Sequence, residues 1–310
     1  MDIAAIGEIL IDMTQTGTDE NGTALFSACP GGAPANVAVA AARLGASASF
    51  IGCVGKDPFG EMLRKTLEDN NVRTDGLQET DKASTTLAVV AVDSNGERSF
   101  SFCRAPGADT LIDEAAAVKA AEGCGILHFG SVSLTDLACA ETVINVVKKA
   151  KAGGALISFD PNYREPLWPD IRTAEDAVRG VIPLCDIVKI SAEETELAAG
   201  CTDPSDAAEA LEKQGVCLVL VTLGADGALW RFRGQEGTEP GYKVKVADTN
   251  GAGDSFTGAV LCKITEKGGL SRLSVNDIPD IVRFANRAAS ITVGKSGAIP
   301  ALPYLSSMEE

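Results

Sequence analysis

Seven consecutive residues, Asp248-Thr249-Asn250-Gly251-Ala252-Gly253-Asp254, combine small side chains with carboxylates in a way that could do chemistry. The residues that follow predict a helix: Phe256, Val260, Leu261 and Ile264 recur at helical spacing, and Gly268-Gly269 end the run. Gly251, Ala252 and Gly253 then sit at a helix N-terminus, where unpaired N–H groups and the positive end of the helix dipole attract an anion. Small side chains let a phosphate approach that backbone closely. Asp254 brings a carboxylate to the same point, where an anionic ligand would repel it. Such a group suggests a task, taking the proton from a hydroxyl as that hydroxyl attacks phosphorus. Asp at a helix start is also a common cap, and the rest of the chain has to decide between the two readings.

Several elements must position this stretch. Ile3-Ala4-Ala5-Ile6-Gly7 predicts a buried strand that Glu8 to Asp12 continue, which puts Asp12 near a strand end. Pro34 to Leu44 is mostly Ala and Val, with Pro at its start and Gly45 at its end, and predicts a helix buried nearly all round. Asn36 is a polar exception one turn in: it either satisfies the Gly31-Gly32 turn or faces a ligand. Residues 47 to 54 predict a strand and residues 60 to 70 a helix. Residues 85 to 92 and 98 to 104 are β-rich and flank Asp93-Ser94-Asn95-Gly96, a hairpin signal. With residues 12 to 30 as partners they predict a small sheet, 12–30 and 85–104, beside an α/β unit made of 1–11, 31–84 and 105–310.

Beyond Pro106, strands are expected at 125–129, 155–159, 186–190 and 217–223, separated by helical stretches. Short buried runs between longer helices imply a largely parallel sheet covered on both faces. Ligands of such sheets bind beyond the carboxyl ends of the strands. Asp12, Asp160, Asn162, Arg164, Ser191, Glu194, Thr222 and Gly224 fall at those ends.

The 310 residues carry 27 Lys and Arg against 43 Asp and Glu, a formal charge of −16. That field repels nucleic acid and anionic membrane, while a few local cations can still hold a small anion in a cleft. No apolar stretch is long enough to span a membrane and no basic leader precedes one, so the expectation is a soluble, cytoplasmic protein. Nine scattered cysteines without a C-x-x-C pair fit a reducing compartment better than disulfides or zinc. His128 is the only histidine, which excludes two-histidine metal motifs, and in its apolar run it reads as structural.

The P-loop pattern is absent, and Phe256 stands where the dinucleotide fingerprint needs glycine. Gly31-Gly32-Ala33-Pro34-Ala35-Asn36-Val37-Ala38, closing at Arg43-Leu44-Gly45, resembles the first signature of the PfkB (ribokinase-like) carbohydrate kinases. Asp248 to Asp254 resembles the second, and the order and spacing match over nearly the whole chain. Within the family, Phe102-x-Arg104-x-Pro106-Gly107-Ala108-Asp109 and the run Ser158 to Pro169 are most similar to fructokinases. The resemblance implies a three-layer α/β fold with a mostly parallel central sheet and a small β-sheet lid. It also implies transfer of the γ-phosphoryl of ATP to fructose, giving fructose 6-phosphate and ADP.

Carried over by residue, Asp254 is the base, and Gly251, Ala252 and Gly253 form the anion hole. Asp12, Gly31, Gly32 and Asn36 bind sugar hydroxyls. Arg104 comes from the lid, and Arg164 is directed at the phosphoryl group or an anionic substrate, unless it pairs with Glu165 or another neighbouring acid. Ser191-Ala192-Glu193-Glu194 takes the place of the family's N-x-x-E element, with Ser for Asn, and Glu194 organises Mg²⁺ through water. Thr222, Gly224 and Gly227 resemble the nucleotide loop, and Asn286 stands where relatives line the adenine pocket. Asp248, Asn250, Thr292 and Gly297 match positions where many relatives hold K⁺. The implied partners are a small sugar and ATP, with a homodimer through the lid sheet and neither nucleic acid nor membrane. Alternatives are a 2-keto-3-deoxygluconate kinase and a sugar-binding regulator without turnover.

Overall fold

The apolar run of the first strand stops at Gly7, whose φ of 146° suits only glycine, and there the chain leaves one sheet for another. In the computed structural model, which describes residues 2–92 and 98–309, β1 (Ile3–Ile6) belongs to a large sheet and β2 (Leu10–Thr18) to a small one. Glu8 to Asp12 therefore do not extend β1, as the sequence suggested. Asp12 lies near the start of β2 instead. The chain continues with β3 (Ala24–Gly31), α1 (Ala33–Arg43), β4 (Ala48–Gly55), α2 (Pro58–Asp69), β5 (Val72–Thr80), β6 (Leu87–Val92) and β7 (Arg98–Cys103). Then come α3 (Glu114–Ala121), β8 (Ile126–Gly130), α4 (Leu137–Ala152), β9 (Leu156–Asp160), α5 (Ile171–Val181) and β10 (Ile187–Ser191). The last third is α6 (Thr195–Ala199), α7 (Pro204–Lys213), β11 (Leu218–Thr222), β12 (Ala228–Phe232), β13 (Gln235–Glu239), α8 (Ala252–Glu266) and α9 (Ile278–Val293).

Among the described residues the large sheet runs β13-β12-β11-β10-β9-β8-β1-β4-β5, parallel from β11 to β5 and antiparallel at β12 and β13. Helices α3 to α7 pack on one face, and α1, α2, α8 and α9 on the other. Three strands, β5, β12 and β13, were not legible in sequence. β5 is a polar edge strand, with Arg73 and Asp75 exposed, so the usual apolar run is missing. The β12–β13 turn uses Arg233 and Gly234 at φ 53° and 72°, the paired positive values of a tight hairpin, without the expected Asn-Gly or Asp-Gly.

The small sheet has the order β3-β2-β6-β7; β2 pairs antiparallel with β3 and parallel with β6. The Asp93-Ser94-Asn95-Gly96 turn lies outside the described residues.

Helix α1 is buried from Pro34 to Ala41, as its composition demands. Helix α8 comes so close that a Cβ on Gly258 would stand 2.6 Å from Ala40 Cβ and 2.9 Å from the Val37 carbonyl oxygen. Alanine on one helix and glycine on the other permit this contact, and it fixes what the two N-termini can share.

Candidate active site

Asn36 and Asp254 meet across that contact. Asn36 Nδ2 donates to Asp254 Oδ2 at 2.7 Å, and Asn162 Nδ2 donates to Oδ1 at 3.1 Å. The side chain of Asn36 thus serves Asp254, and Asn162 reaches it from the turn after β9 with φ of 44°, a value asparagine tolerates. Two amides fix the plane of the carboxylate while leaving each oxygen a further lone pair. Burial pushes the Asp254 carboxyl up to about 6; the Asn36 bond, Lys189 and Arg164 oppose the rise, and Asp160 adds to it. A base of that strength works near neutral pH.

Gly251 caps α8 at φ 75°, followed by Ala252 and Gly253 at the start of the helix. One cavity lies on each side of this turn. The first, about 90 Å³, is lined by Glu8, Asp12, Gly32, Asn36, Asn162, Arg164, Gly251 and Asp254. The second, about 510 Å³, includes Ala252 and Gly253 in its lining.

Glycines shape the first cavity. A Cβ at Gly31 would stand 2.3 Å from Asp12 Oδ2, and one at Gly32, with φ of 106°, 2.6 Å from the Glu8 carbonyl oxygen. The Asp12 carboxyl is pushed up to about 6 by burial, with Arg164 opposing. Arg164 is exposed at the rim and donates to the Tyr163 carbonyl at 3.0 Å rather than to Glu165. Arg104 is not brought here. Its three nitrogens donate to Asp109 Oδ2 at 2.7 Å, Thr135 Oγ1 at 2.6 Å and the Val132 carbonyl at 3.1 Å, so the guanidinium sits behind Val132 in the cavity wall and does not itself line the cavity. The expectation that Arg104 faces the sugar or the phosphoryl group is not met in this conformation, because Asp109 holds it.

The second cavity takes Thr222, Gly224, Gly227 and Asn286 from the expected set, with an apolar wall from Val244, Val246, Phe256 and Val293. Asn286 Nδ2 donates to the Glu239 and Pro240 carbonyls at 3.0 and 3.2 Å, so it also pins the chain leaving β13. Ser191 and Thr222 are neighbours at the ends of β10 and β11. Glu194 accepts from the Ser191 N–H and the Tyr163 N–H, both at 2.8 Å. Asp248 accepts from the Asn250 N–H and the Gly297 N–H, both at 3.1 Å, stitching together two loops whose carbonyls could serve a monovalent cation. Thr292 is buried at the end of α9, and its hydroxyl donates to the Ala288 carbonyl. Among the described residues no three His, Cys, Asp or Glu side chains converge as a metal site.

A family model described as pfkB family carbohydrate kinase matches residues 1–305. The chain belongs to that family. It is 40% identical to Fructokinase-1 of Oryza sativa subsp. japonica, over 97% of this chain and 94% of the relative. A crystal structure of a Xylella fastidiosa fructokinase with bound ATP superposes with a TM-score of 0.92 at 36% identity, covering 99% of this chain and 97% of the other. A Vibrio cholerae O395 fructokinase in fructose, ADP and calcium ion bound form gives 0.88 at 33% identity, with the same coverage of both chains. As a carbohydrate kinase of this family, the protein is a phosphotransferase acting on an alcohol group.

Sequence reading passed over Lys189 and Glu8. Lys189 sits in the apolar run of β10, yet its Nζ is 3.0 Å from Asp160 Oδ2 and its side chain is 8% exposed. A lysine at an inward position of a buried strand was the available signal. Glu8 Oε1 accepts from the Ala33 N–H at 3.1 Å, and burial pushes this carboxyl up to about 7. His128 is structural, bonded through Nδ1 to Ser158 Oγ at 3.0 Å and held neutral, at about 3, by burial and by Lys189.

Proposed function

We propose that the protein transfers the γ-phosphoryl of ATP to the 6-hydroxyl of fructose, with Asp254 as base. The observation that carries this reading is the pair of cavities meeting at the Gly251–Asp254 turn: a small polar one suited to a polyol and a larger, partly apolar one suited to a nucleotide. Fructose lies against Asp12, Gly31, Gly32 and Asn36. As its oxygen forms the bond to phosphorus and the bond to ADP breaks, the proton passes to Asp254. The Gly251, Ala252 and Gly253 backbone faces the developing negative charge.

Magnesium, when bound with the nucleotide, neutralises phosphate charge, and Glu194 with Ser191 would hold its water. Asp248, Asn250, Thr292 and Gly297 would hold K⁺, which suits carbonyl ligands. The small sheet, 12–30 and 85–104, acts as a lid, and Leu25 and Phe26, exposed on β3, mark the face of a homodimer.

One observation favours a second reading: Arg164, at the rim of the small cavity, could pair with the carboxylate of 2-keto-3-deoxygluconate. Asp109 withholds Arg104 from that role, which favours the neutral hexose. The test is ADP release by purified protein with MgATP, K⁺ and each sugar. We expect kcat/KM for fructose at least roughly tenfold above that for the keto acid, about 1.4 kcal/mol. Preference for the keto acid would overturn the sugar assignment, and no sugar-dependent turnover would leave a binding protein.

A further inference from the structure

We infer that Lys189 is a positioning residue of this reaction: its ion pair with Asp160 holds the turn that orients Asp254 and places a fixed positive charge behind the anion cradle. Three observations converge. The pair is buried, at 3.0 Å, with side-chain exposures of 8% and 3%. Asp160 Oδ1 accepts from the Asn162 N–H at 3.2 Å, and Asn162 in turn bonds Asp254. On the other side, a Cβ added to Gly253 would stand 2.9 Å from Lys189 Nζ, so the ammonium lies directly beneath the cradle backbone. A side chain at 253 would have to displace this ammonium.

The surrounding charges agree. Burial opposes the Lys189 ammonium, but Asp160, Glu194 and Asp254 outweigh it and keep its pKa above the ordinary value. Thr257 on α8 donates to Asp160 Oδ2 at 3.4 Å, and His128 on β8 is neutral. The charged groups that act most on Asp254 are Asp160, Lys189 and Arg164, and the carboxyls of Glu8 and Asp12 line the same cavity, both pushed up by burial. On top of the rise that burial causes, Asp160 raises and Lys189 lowers the Asp254 carboxyl, so the pair acts on it with opposite signs.

The inference rests on Asp254 being the base, and its test separates the two claims. The acid limb of kcat/KM for fructose is measured for Lys189→Met, Asp160→Asn and the double variant, each with its thermal midpoint. Lys189→Met removes a cation and should move the limb up by about one pH unit; Asp160→Asn removes an anion and should move it down by a similar amount. The double variant, two neutral groups of similar volume, should return close to the wild-type limb. Equal limbs in all variants, or shifts of the same sign, would overturn the inference even if every midpoint fell. Should Lys189→Met fail to fold because Asp160 is left unpaired, the downward shift in Asp160→Asn and its reversal in the double variant decide the matter alone. Normal turnover by Asp254→Asn would instead remove the base itself.

Discussion

The α1–α8 floor and the small sheet both line the small cavity, but burial differs sharply between them. Asn36 and Asp254 are 4% and 6% exposed, and the helices that carry them touch through alanine and glycine. Strands β2 and β3 are buried at Leu10 and Gly31 and run outward until Leu25 and Phe26 stand 48% and 42% exposed. In the proposed reaction the groups that face the developing charge are the ones fixed by close packing, where reorganisation is small. The wall proposed to admit the substrate is drawn from less buried structure, which can open at lower free energy.

The largest expected effect would break the floor chemically. Asp254→Asn fills the same space but cannot accept the proton, so kcat should fall about 10²- to 10⁴-fold while calorimetry still detects fructose and ATP binding. Near-normal kcat would show that the buried carboxylate is not the base. As the proposed base, the same group should set the acid limb. Since Asp254 must be ionised and its carboxyl stands at about 6, kcat/KM should drop roughly tenfold per unit as pH falls below that value. His128, already neutral, should contribute no titration between about pH 5 and 8. A pH-independent rate down to about 4.5 would contradict the assignment.

A purely steric change should also register in the floor. Gly258→Val forces α8 from α1 at a contact with no room for a Cβ, costing about 1–3 kcal/mol and lengthening the Asn36–Asp254 bond. A thermal midpoint and kcat both equal to wild type would mean that the helices do not need this approach. The smallest effect belongs to the wall: Phe26→Ser, on an exposed strand face, should change the stability of an isolated chain by less than about 0.5 kcal/mol. Sedimentation of the same variant examines the proposed homodimer, which should weaken if that face is shared; an unchanged mass at all concentrations would rule the face out.

The two regions also differ in how far sequence revealed them. The place of Asp254 and its glycines at a helix N-terminus was legible because Phe256, Val260, Leu261 and Ile264 recur at helical spacing just after them, and the alanine content of α1 announced its burial. The partnership of Asn36 with Asp254 was not, since it depends on Gly258 meeting Ala40, a contact between residues far apart in the chain. Lys189 was hidden for a related reason: a lone charge in an apolar run gives no hint that Asp160 waits on the neighbouring strand. In the small sheet, Asp12 was placed on the wrong strand because Gly7 looks like any strand glycine until its φ of 146° is known. Arg104 was directed at the substrate by its motif, whereas Asp109, five residues on, claims it here.

Amide hydrogen exchange, with and without saturating fructose and a non-hydrolysable ATP analogue, tests the contrast most directly. Protection should rise across residues 10–31 and in the described parts of β6 and β7, while α1 and the rest of α8 beyond its first turn, already protected, should not change. An unchanged small sheet, or new protection through α1 and α8, would contradict a preformed floor beneath a closing wall.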